Sequence, residues 1–553
     1  MQLILSPMNR QKTQVLIVGG ALTGLSAAVF LAHKGIRVIV VERHPDLLSH
    51  PRLRGITPRT VEVLRQVGLG PSIRQESFSG EDGVFVPLRA NTLADDYETV
   101  EEAGQAEFID PRTYSSSTYA GIDQDRLERL LHDRARQLGA EIRHFTEAVS
   151  LDQDEDGVTV TVRDRASGNE EALRADYLIA ADGSKSRIRN WLGIDTDGPG
   201  VLFNTISALA HADLSAAVRG RPIGIAYLQK PRPFSSMMPH DGSGTRWLFG
   251  TGYDPRHESL ADFTTERVAE MVREASGLDE VEVSLKPQIP GTDLTVLGFP
   301  IGAQVARSYR SGRVFLAGDA ARIQPPTGGF GGSTGIQDAH NLAWKLAAVL
   351  TGRAGPGLLD TYDAERRPYG RLAMQQAFAR FGDRMADGAQ VELLDYSAVT
   401  MGFRYASAAV PGNHETDPIP AVELCAQPGT RAPHRPTADG GSTLDLYGET
   451  FVLLTGREGQ AWVKAAQDLG TTMGVEVQSY VLGTDLRVED GENAHGIGPD
   501  GAVLVRPDGF VAWRSHSAPM HPTDTTDTAD AADPTGATTT LAEILRSILA
   551  RQS

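Results

Sequence analysis

The sequence predicts an α/β fold with more than one domain, and two of its segments carry this prediction. In the first segment, an apolar run from Val15 to Val18 precedes a turn from Gly19 to Gly24. A helix-like stretch from Leu25 to Lys34 and a second apolar run, Val38 to Val41, follow this turn. Two short apolar runs joined by a helix are typical of parallel strands. We therefore expect a βαβ unit near the start of the chain.

The turn of this βαβ unit has the spacing of a dinucleotide-binding site. Gly19 and Gly24 bound the turn, and Glu42 follows the second strand eighteen positions after Gly24. In such a unit the pyrophosphate of a dinucleotide lies on the helix N-terminus, and the acidic side chain bonds the ribose hydroxyls. Ala21 stands where the pattern has its middle glycine. A plain strand-to-helix turn is the alternative.

The second segment, Arg313 to Leu346, reads as a strand, a turn, a glycine loop and a helix. The apolar run Val314 to Ala317 stops at Gly318-Asp319, and four glycines lie within Gly328 to Gly332. Helical spacing of apolar residues begins at about Gly335. A helix N-terminus carries about half a positive charge, and glycines let a ligand approach the backbone. This order predicts a site for an anionic ring; an ordinary buried helix after a flexible loop is the alternative.

A third segment lies between these two and completes an ordered set of motifs. The apolar strand Tyr177 to Ala180 runs into Asp182-Gly183, and Ser186 and Arg189 follow. The chain thus carries, in order, GxxxxG with a following Glu, DGxxSxxR and GDAAxxxPPxGGxG. This set resembles the single-component (class A) FAD-dependent aromatic hydroxylases, the family that includes para-hydroxybenzoate hydroxylase.

Four further strings narrow the resemblance to the aromatic polyketide hydroxylases, the subgroup of aklavinone hydroxylase. They are PRLRGITPRTVEVLRQVGL at 51–69, DQDRLERLL at 123–131, LLDTYDAERRP at 358–368 and MGFRYASAAV at 401–410. The resemblance runs from about Val15 to nearly the end of the chain.

The resemblance implies an enzyme with FAD as its cofactor and NADPH or NADH as its cosubstrate. Reduced nicotinamide would transfer hydride to FAD, and a flavin hydroperoxide would then hydroxylate a polycyclic aromatic phenol of the polyketide type. A dry cavity is needed, because a wet hydroperoxide decays to hydrogen peroxide. Two alternatives stay open. The same scaffold serves Baeyer–Villiger oxygenation or an antibiotic-inactivating oxidation, and a flavoprotein of another class would bind and shield a reactive intermediate without oxygenating it.

The resemblance also assigns residues to the FAD site. Gly19, Gly24 and Glu42 would hold the adenosine and pyrophosphate end. Asp319 would bond the ribityl chain, and the loop from Pro325 to Gly332 would lie beside the reactive edge of the isoalloxazine ring. The full expected set of cofactor-binding residues is Gly19, Gly24, Glu42, Arg43, Arg52, Gln124, Asp182, Arg189, Gly318, Asp319, Pro325, Gly328, Gly329, Gly331, Gly332 and Ser333.

The catalytic residues are less well marked than the cofactor residues. Tyr227 and Arg384 are the candidates for orienting or deprotonating a phenol, with a simple packed strand aromatic as the alternative for Tyr227. The chain also departs from the family at two positions: Arg322 replaces the histidine that many members have after GDAA, and Ser333 replaces an asparagine. Neither change removes a backbone contact, so we expect flavin to bind, with a changed local field near Arg322.

Three other arginines have plainer interpretations. Arg59 and Arg65 are expected to be solvated residues of a helix. Arg189 has a second interpretation as a surface salt-bridge partner, which would contribute little energy.

The predicted architecture is a Rossmann-like FAD-binding domain, an inserted antiparallel β-sheet substrate domain and a C-terminal thioredoxin-like domain. A chain of 553 residues has ample length for these domains. The expected divisions are 13–78, 104–198 and 297–388 for FAD, 79–103 and 199–296 for substrate, 389–410 for a connecting helix or linker, and 411–553 for the last domain. Within the last domain, the polar stretch 521–540 is expected to be disordered.

Composition excludes several classes of function. A net charge of −18 argues against nucleic acid and anionic membrane surfaces as partners. No run of the ~18 apolar residues that a membrane span needs is present, which predicts a cytoplasmic protein. Cys425 is the only cysteine and the histidines are scattered, so neither a disulfide nor a metal is expected. The expected partners are the aromatic substrate, dioxygen and NAD(P)H, in a monomer or homodimer.

Overall fold

The computed structural model describes residues 11–49, 53–73, 87–100, 109–240, 243–384, 391–519 and 534–551. These residues form twelve helices and twenty-three strands. The helices, in chain order, are α1 Leu22–His33, α2 Pro58–Gln66, α3 Gln124–Gln137, α4 Arg187–Trp191, α5 Ser215–Val218, α6 Thr265–Ser276, α7 Phe330–Leu350, α8 Asp360–Arg384, α9 Tyr396–Thr400, α10 Gln460–Met473, α11 Gly491–Ala494 and α12 Pro534–Ile548.

The strands fall into three large sheets and one two-stranded sheet. In chain order they are β1 Gln11–Val18, β2 Val38–Val41, β3 Gly55–Ile56, β4 Pro87–Ala90, β5 Tyr97–Thr99, β6 Ala120–Gly121, β7 Glu141–Arg143, β8 Thr146–Asp154, β9 Gly157–Asp164, β10 Glu170–Ala180, β11 Thr196–His211, β12 Ile225–Leu228, β13 Ser235–Pro239, β14 Arg246–Tyr253, β15 Ser284–Lys286, β16 Val296–Ala306, β17 Arg310–Ser311, β18 Val314–Leu316, β19 Arg322–Ile323, β20 Phe451–Thr455, β21 Val477–Val481, β22 Ala502–Val505 and β23 Val511–Ser515.

The first sheet has a parallel centre in the order β18-β10-β1-β2-β7. The second half of β1, Val15 to Val18, and all of β2 are apolar and buried, as is typical of parallel strands that are covered on both faces. Helix α1 is apolar on nearly every side and is buried against α7. The βαβ unit therefore has the arrangement that the sequence predicts.

The second sheet is the predicted inserted sheet, in the order β19-β16-β11-β14-β13-β12-β4-β5 with β15 beside β11. Its strands are antiparallel except for the parallel pair of β4 and β12. Strand β16 crosses the boundary expected at residue 297 and pairs along β11 from Ala208↔Val296 to Thr196↔Ala306. This long two-stranded ribbon joins the second sheet to the FAD-binding part of the chain.

The C-terminal domain has a mixed sheet in the order β21-β20-β22-β23, with α10 and α12 packed on it. The parallel pair β20-β21 and the antiparallel strands β22 and β23 give the expected thioredoxin-like arrangement. Trp344 and Ala348 of α7 lie in the same apolar cluster as α10 and α12. This domain therefore packs directly on the back of α7.

Two helix starts differ from the sequence prediction. Helix α7 begins at Phe330, five residues before the expected Gly335, because tertiary packing overrides the low helix propensity of its glycines. Helix α12 begins at Pro534, inside the stretch 521–540 that was expected to be disordered; residues 520–533 lie outside the described part. None of the described helices is both long and apolar enough to cross a membrane.

Candidate active site

The three predicted motif segments meet at one edge of the first sheet. Strands β18, β10 and β1 are neighbours and run parallel, so their carboxyl ends lie side by side. Gly19, Ala181 and Ala317 follow these strand ends. The carboxyl edge of an open α/β sheet is the usual place for a ligand. The geometry thus brings together segments that are about 300 residues apart in the chain.

Gly19 makes the first turn tight enough to bring α1 to this edge. Its φ is +107°, and a Cβ atom there would lie 2.2 Å from the carbonyl oxygen of Ala181. A Cβ atom on Gly24 would lie 1.8 Å from the Gly19 oxygen. Any side chain at either position would push α1 away from the sheet.

Glu42 lies at the end of β2 with its carboxylate fixed by the backbone. Its Oε2 accepts a hydrogen bond from the Gly20 N–H at 2.7 Å, and its Oε1 accepts one from the His44 N–H at 2.9 Å. Carboxylate oxygens have further lone pairs that ribose hydroxyls can use. Arg43 is exposed beside this residue, and its Nε lies 3.3 Å from His44 Nε2.

Glu128 is a site residue that the sequence interpretation missed. Its buried Oε1 accepts hydrogen bonds from the Leu22 N–H at 2.9 Å and from Gln124 Nε2 at 2.7 Å. Glu128 thus satisfies one N-terminal donor of α1, and the predicted Gln124 contacts Glu128. Its i,i+4 spacing from the predicted site residue Gln124 on α3 is the feature of the sequence that could have pointed to Glu128.

The DGxxSxxR segment folds back on itself and then reaches the third segment. Asp182 Oδ1 accepts from Ser186 Oγ at 2.5 Å, and Ser186 Oγ accepts from the Arg189 N–H at 3.0 Å. Burial raises the pKa of the Asp182 carboxyl. The Arg189 guanidinium is buried and donates to the Ala320 carbonyl at 3.0 Å. The interpretation of Arg189 as a surface salt-bridge partner is therefore wrong, because this side chain holds two motif segments together.

The Gly318–Ala320 turn carries the predicted Asp319 at the sheet edge, where it is exposed. The Gly318 N–H donates to Asp338 Oδ2 at 3.1 Å. A Cβ atom on Gly318 would lie 2.4 Å from Thr23 Oγ1. The turn is thus fixed between α1 and α7.

The glycines around the start of α7 have two different roles. A Cβ atom on Gly329 would meet nothing within 4 Å, and one on Gly331 would meet only Gln324 Nε2 at 4.0 Å. A Cβ atom on Gly332 would instead lie 2.2 Å from Leu53 Cδ1, so this glycine lets α7 pack closely. Open space beside two glycines at a helix N-terminus suits a flat anionic ring.

The remaining predicted site residues lie in different parts of the molecule. Pro325 is buried in the loop, and the buried Ser333 Oγ accepts from the Thr57 N–H at 3.2 Å. Tyr227 lies on β12 of the second sheet. Arg52 is outside the described residues, and Arg384 ends α8 with its side chain outside the described part.

Together these features fit FAD. The N-terminus of α1 offers backbone donors for a pyrophosphate, Glu42 lies where an adenosine ribose would bind, and the open loop beside Gly329 has room for the ring. The N-terminus of α1 and Glu42 follow the neighbouring strands β1 and β2 and lie at the same edge of the first sheet.

Two family models match the chain. The FAD binding domain model matches residues 12–377, and the model for the C-terminal domain of aromatic-ring hydroxylases matches residues 426–549. The chain belongs to the FAD-dependent aromatic-ring hydroxylases. It is an FAD-dependent monooxygenase, with NAD(P)H as its cosubstrate.

The similar proteins align along nearly the whole chain. Tetracenomycin A2 monooxygenase-dioxygenase from Streptomyces glaucescens is 42% identical, over 93% of this chain and 95% of the relative. Aklavinone 12-hydroxylase from Streptomyces purpurascens is 40% identical, over 92% of this chain and 97% of the relative. The crystal structure of a ternary complex of aklavinone-11 hydroxylase with FAD and aklavinone superposes with a TM-score of 0.86 at 37% identity, over 98% of this chain and 100% of that chain.

One group of possible metal ligands occurs among the described residues. Single ligand atoms of Asp123, Asp125 and His240 lie within 4.8 Å of one another. Arg54 Nε lies 2.7 Å from Asp123 Oδ1, so a guanidinium already balances this buried carboxylate. The group is therefore better explained as an ion-paired cluster than as a metal site.

The two arginines of α2 were expected to be solvated, and for Arg59 this is wrong. Arg59 is buried, pairs with Glu62 at 3.1 Å and donates to the Asp508 carbonyl at 2.5 Å. Arg65 is about a third exposed and pairs with Asp445 at 3.0 Å. Helix α2 is thus a contact between the FAD-binding part and the C-terminal domain.

Proposed function

We propose that this enzyme hydroxylates a phenolic ring of a polycyclic aromatic substrate of the polyketide type. The observation that carries the proposal is an open face of the second sheet. Along β12, β13 and β14, alternate residues are buried against α6, and the residues between them are only half-buried. A broad sheet face that the described residues cover only in part suits a flat ligand. We call it the substrate face, formed by Ile225, Tyr227, Ser236, Met238, Leu248, Gly250 and Gly252.

The chemical character of the substrate face supports a large planar substrate. Tyr227, Ser236 and Gly250 lie in this order in one cross-strand row, so two neighbouring hydroxyls lie beside a position without a side chain. Met238 and Leu248 are cross-strand partners and add apolar surface next to this row. Apolar surface with a few polar groups is typical of pockets that orient an aromatic ligand.

An aromatic pair joins the second sheet to the FAD-binding part of the chain. Phe203 of β11 stacks on Phe381 of α8 with a centroid distance of 5.4 Å and an interplanar angle of 12°. Both side chains are half-buried. Helix α8 also carries Arg384, one turn further on. This contact connects the substrate face with the helix that holds the second catalytic candidate.

The names of the relatives support oxygenation of an aromatic substrate but specify different compounds. Two similar proteins are named for tetracenomycin A2 and aklavinone, and a third relative is named 4-methyl-5-nitrocatechol 5-monooxygenase. That third protein, from a Burkholderia species, is 40% identical over 92% of this chain and 95% of the relative. All three names describe oxygenation of an aromatic compound, so ring size is the property that the experiment must vary.

In this proposal the chain orients the ring and excludes water, and FAD reduced by NAD(P)H supplies the activation of dioxygen. Tyr227 and Arg384 position the phenol, with the Tyr227 hydroxyl as hydrogen-bond partner of the substrate oxygen. Glu42 would bond the adenosine ribose, and Asp319 would bond the ribityl chain. The glycine loop would admit the ring, and the α7 N-terminus would favour negative charge on it.

The test is substrate-dependent turnover. Purified protein with FAD, NADPH and dioxygen is incubated with polycyclic anthraquinone-type phenols and with single-ring phenols. We expect a polycyclic phenol to stimulate NADPH oxidation and to gain one oxygen, found by mass spectrometry, with its carbonyl carbons intact by NMR. Oxygen inserted beside a carbonyl would instead identify a Baeyer–Villiger enzyme. Ligand binding without stimulated NADPH oxidation would contradict the proposal.

A further inference from the structure

Beneath the Gly318–Ala320 turn lies a buried ionic cluster formed by Arg322, Asp338 and Arg366, which we call the Asp338 cluster. Asp338 Oδ2 accepts from Arg322 Nη1 at 2.5 Å and also from the Gly318 N–H at 3.1 Å. Asp338 Oδ1 accepts from Arg366 Nε at 2.7 Å. The three side chains are at most 2% exposed. One carboxylate thus holds the turn and is itself held by two guanidinium groups.

The Asp338 cluster also reaches the start of α7 and the segment after α8. Arg366 Nη2 donates to the Thr334 carbonyl at 3.1 Å, in the first turns of α7. Its Nη1 donates to Tyr405 Oη at 2.8 Å. The turn, the helix that follows the glycine loop, and the MGFRYASAAV segment therefore share one set of charge-assisted hydrogen bonds.

The space for Arg322 is provided by Gly370 of α8. A Cβ atom on Gly370 would lie 3.2 Å from Arg322 Cδ and 2.2 Å from Tyr309 Oη. Burial raises the pKa of Tyr309 to about 12, so its hydroxyl is neutral at neutral pH. With two guanidinium groups and one carboxylate, the Asp338 cluster carries one net positive charge inside the protein.

An uncompensated buried charge is expensive, whereas hydrophobic replacements of buried ion pairs are often neutral for stability. Asp338 keeps Arg366 as a partner without Arg322, so the fold does not require a second cation. The side chain of Arg322 instead fixes the Oδ2 atom that binds the Gly318 N–H. Its charge also lies beneath the turn beside which reduced, negatively charged flavin would form.

We propose that Arg322 is a positioning residue for the cofactor: through Asp338 it holds the Gly318–Asp319 turn in its FAD-binding shape, and its charge stabilises the reduced flavin. The inference concerns FAD alone and does not depend on the proposed substrate. Failure of the substrate experiment therefore leaves it intact, and its own failure leaves the substrate proposal intact.

The test compares R322Q and R322K with the wild type and with R310Q, which removes an arginine that pairs with the exposed Asp360. FAD is titrated into apoprotein by flavin fluorescence, and the reduction potential of the bound flavin is measured without substrate. In R322Q we expect the Kd for FAD to rise about tenfold or more, because one charge-assisted hydrogen bond that holds the turn is lost. We also expect a lower reduction potential, and R310Q should change neither quantity.

The lysine variant keeps the proposal testable if R322Q does not fold. R322K retains the charge and loses the planar geometry, so we expect a wild-type reduction potential with a Kd for FAD between those of wild type and R322Q. A folded R322Q with wild-type Kd and potential would overturn the proposal. So would an R322K whose potential falls, or one whose Kd equals that of the wild type.

Discussion

The FAD edge of the first sheet and the proposed substrate face of the second sheet are built by different means. At the FAD edge, backbone groups are fixed by neighbours: Glu42 holds the Gly20 N–H, and Asp338 holds the Gly318 N–H. On the substrate face, half-buried side chains such as Tyr227 and Met238 supply the surface. Backbone recognition depends on conformation, which a few glycines and carboxylates dictate. Side-chain recognition depends on the identity of each residue and can change without altering the fold.

The largest effect is expected from a methyl group added to the turn at Gly19, which should impair FAD binding alone. In G19A, the new Cβ would meet the Ala181 carbonyl oxygen at 2.2 Å in a backbone conformation that disfavours L residues. We expect affinity for FAD to fall roughly 100-fold or more, about 3 kcal/mol, in a fluorescence titration. The matched control is G35A, which has φ of +75° and open space. Equal FAD affinity in the two variants would contradict the account of the turn.

A second prediction concerns the buried ion pairs of Glu62, which connect the FAD-binding part to the C-terminal domain. Glu62 accepts from Arg431 Nη2 at 2.6 Å and from Arg59 Nη1 at 3.1 Å. Burial alone would raise the pKa of Glu62, but Arg431 and Arg59 outweigh burial and lower it to about 2. A lowered folded-state pKa stabilises the protein above the unfolded value of 4.5, and this stabilisation is lost as the pH falls towards 2.

The measurement for this contact is a series of denaturant titrations between pH 3 and pH 7. The difference in unfolding free energy between wild type and E62Q should be about 3 kcal/mol near neutral pH and should shrink below about pH 4.5. D445N, which breaks the exposed pair with Arg65, should cost less than about 1 kcal/mol. An E62Q difference that is independent of pH would show that the Glu62 carboxylate is not held ionised by its partners.

A larger side chain on the substrate face should weaken substrate binding and leave FAD binding unchanged, the opposite of the effect of G19A. In G250V, the added side chain projects from the end of the row, on the far side of Ser236 from Tyr227, with its Cβ 3.3 Å from Ser236 Oγ. We expect KM for the polycyclic phenol to rise about tenfold with FAD affinity unchanged, because the variant removes uniform binding surface. Loss of FAD binding in G250V would show that the two regions are not separable.

The smallest effect is expected for Y227F, which removes one hydroxyl from the substrate face. Loss of a hydrogen bond that orients the ring should lower kcat several-fold and raise the share of NADPH spent on hydrogen peroxide. The measurement is the ratio of product formed to NADPH consumed. Unchanged turnover and an unchanged ratio would make Tyr227 a packed strand aromatic only.

The sequence predicts well those features that depend on local pattern. The apolar runs of β1 and β2 and the motif residues at their ends all lie where the pattern put them. The start of α7 was misplaced, because its first residues are glycines whose helical state depends on contacts with Leu53 and other distant residues. Alternating polar and apolar residues predict the inserted sheet. They do not reveal that β16 pairs along β11 and joins this sheet to the FAD-binding part, because the pairing of two distant strands has no local pattern.

Buried charges were the main feature that local pattern could not reveal. Arg59 looks like a solvated helix residue until Asp508, 449 positions away, is seen to accept its hydrogen bond. Asp338 was missed for the same reason, since its partners are the Gly318 N–H and the guanidinium groups of Arg322 and Arg366, all distant in the sequence. The local sequence does not show whether a charged side chain on a helix faces solvent or a buried partner.

The most direct test of the central claim is a turnover experiment in ¹⁸O₂. Enzyme, FAD, NADPH and a polycyclic phenol that stimulates NADPH oxidation are incubated under labelled dioxygen, and the product is analysed by mass spectrometry. The account predicts one ¹⁸O atom in each product molecule, with one NADPH consumed for each. Product oxygen that comes from water, or NADPH consumption without labelled product, would contradict the assignment of this sheet edge and sheet face to oxygen transfer.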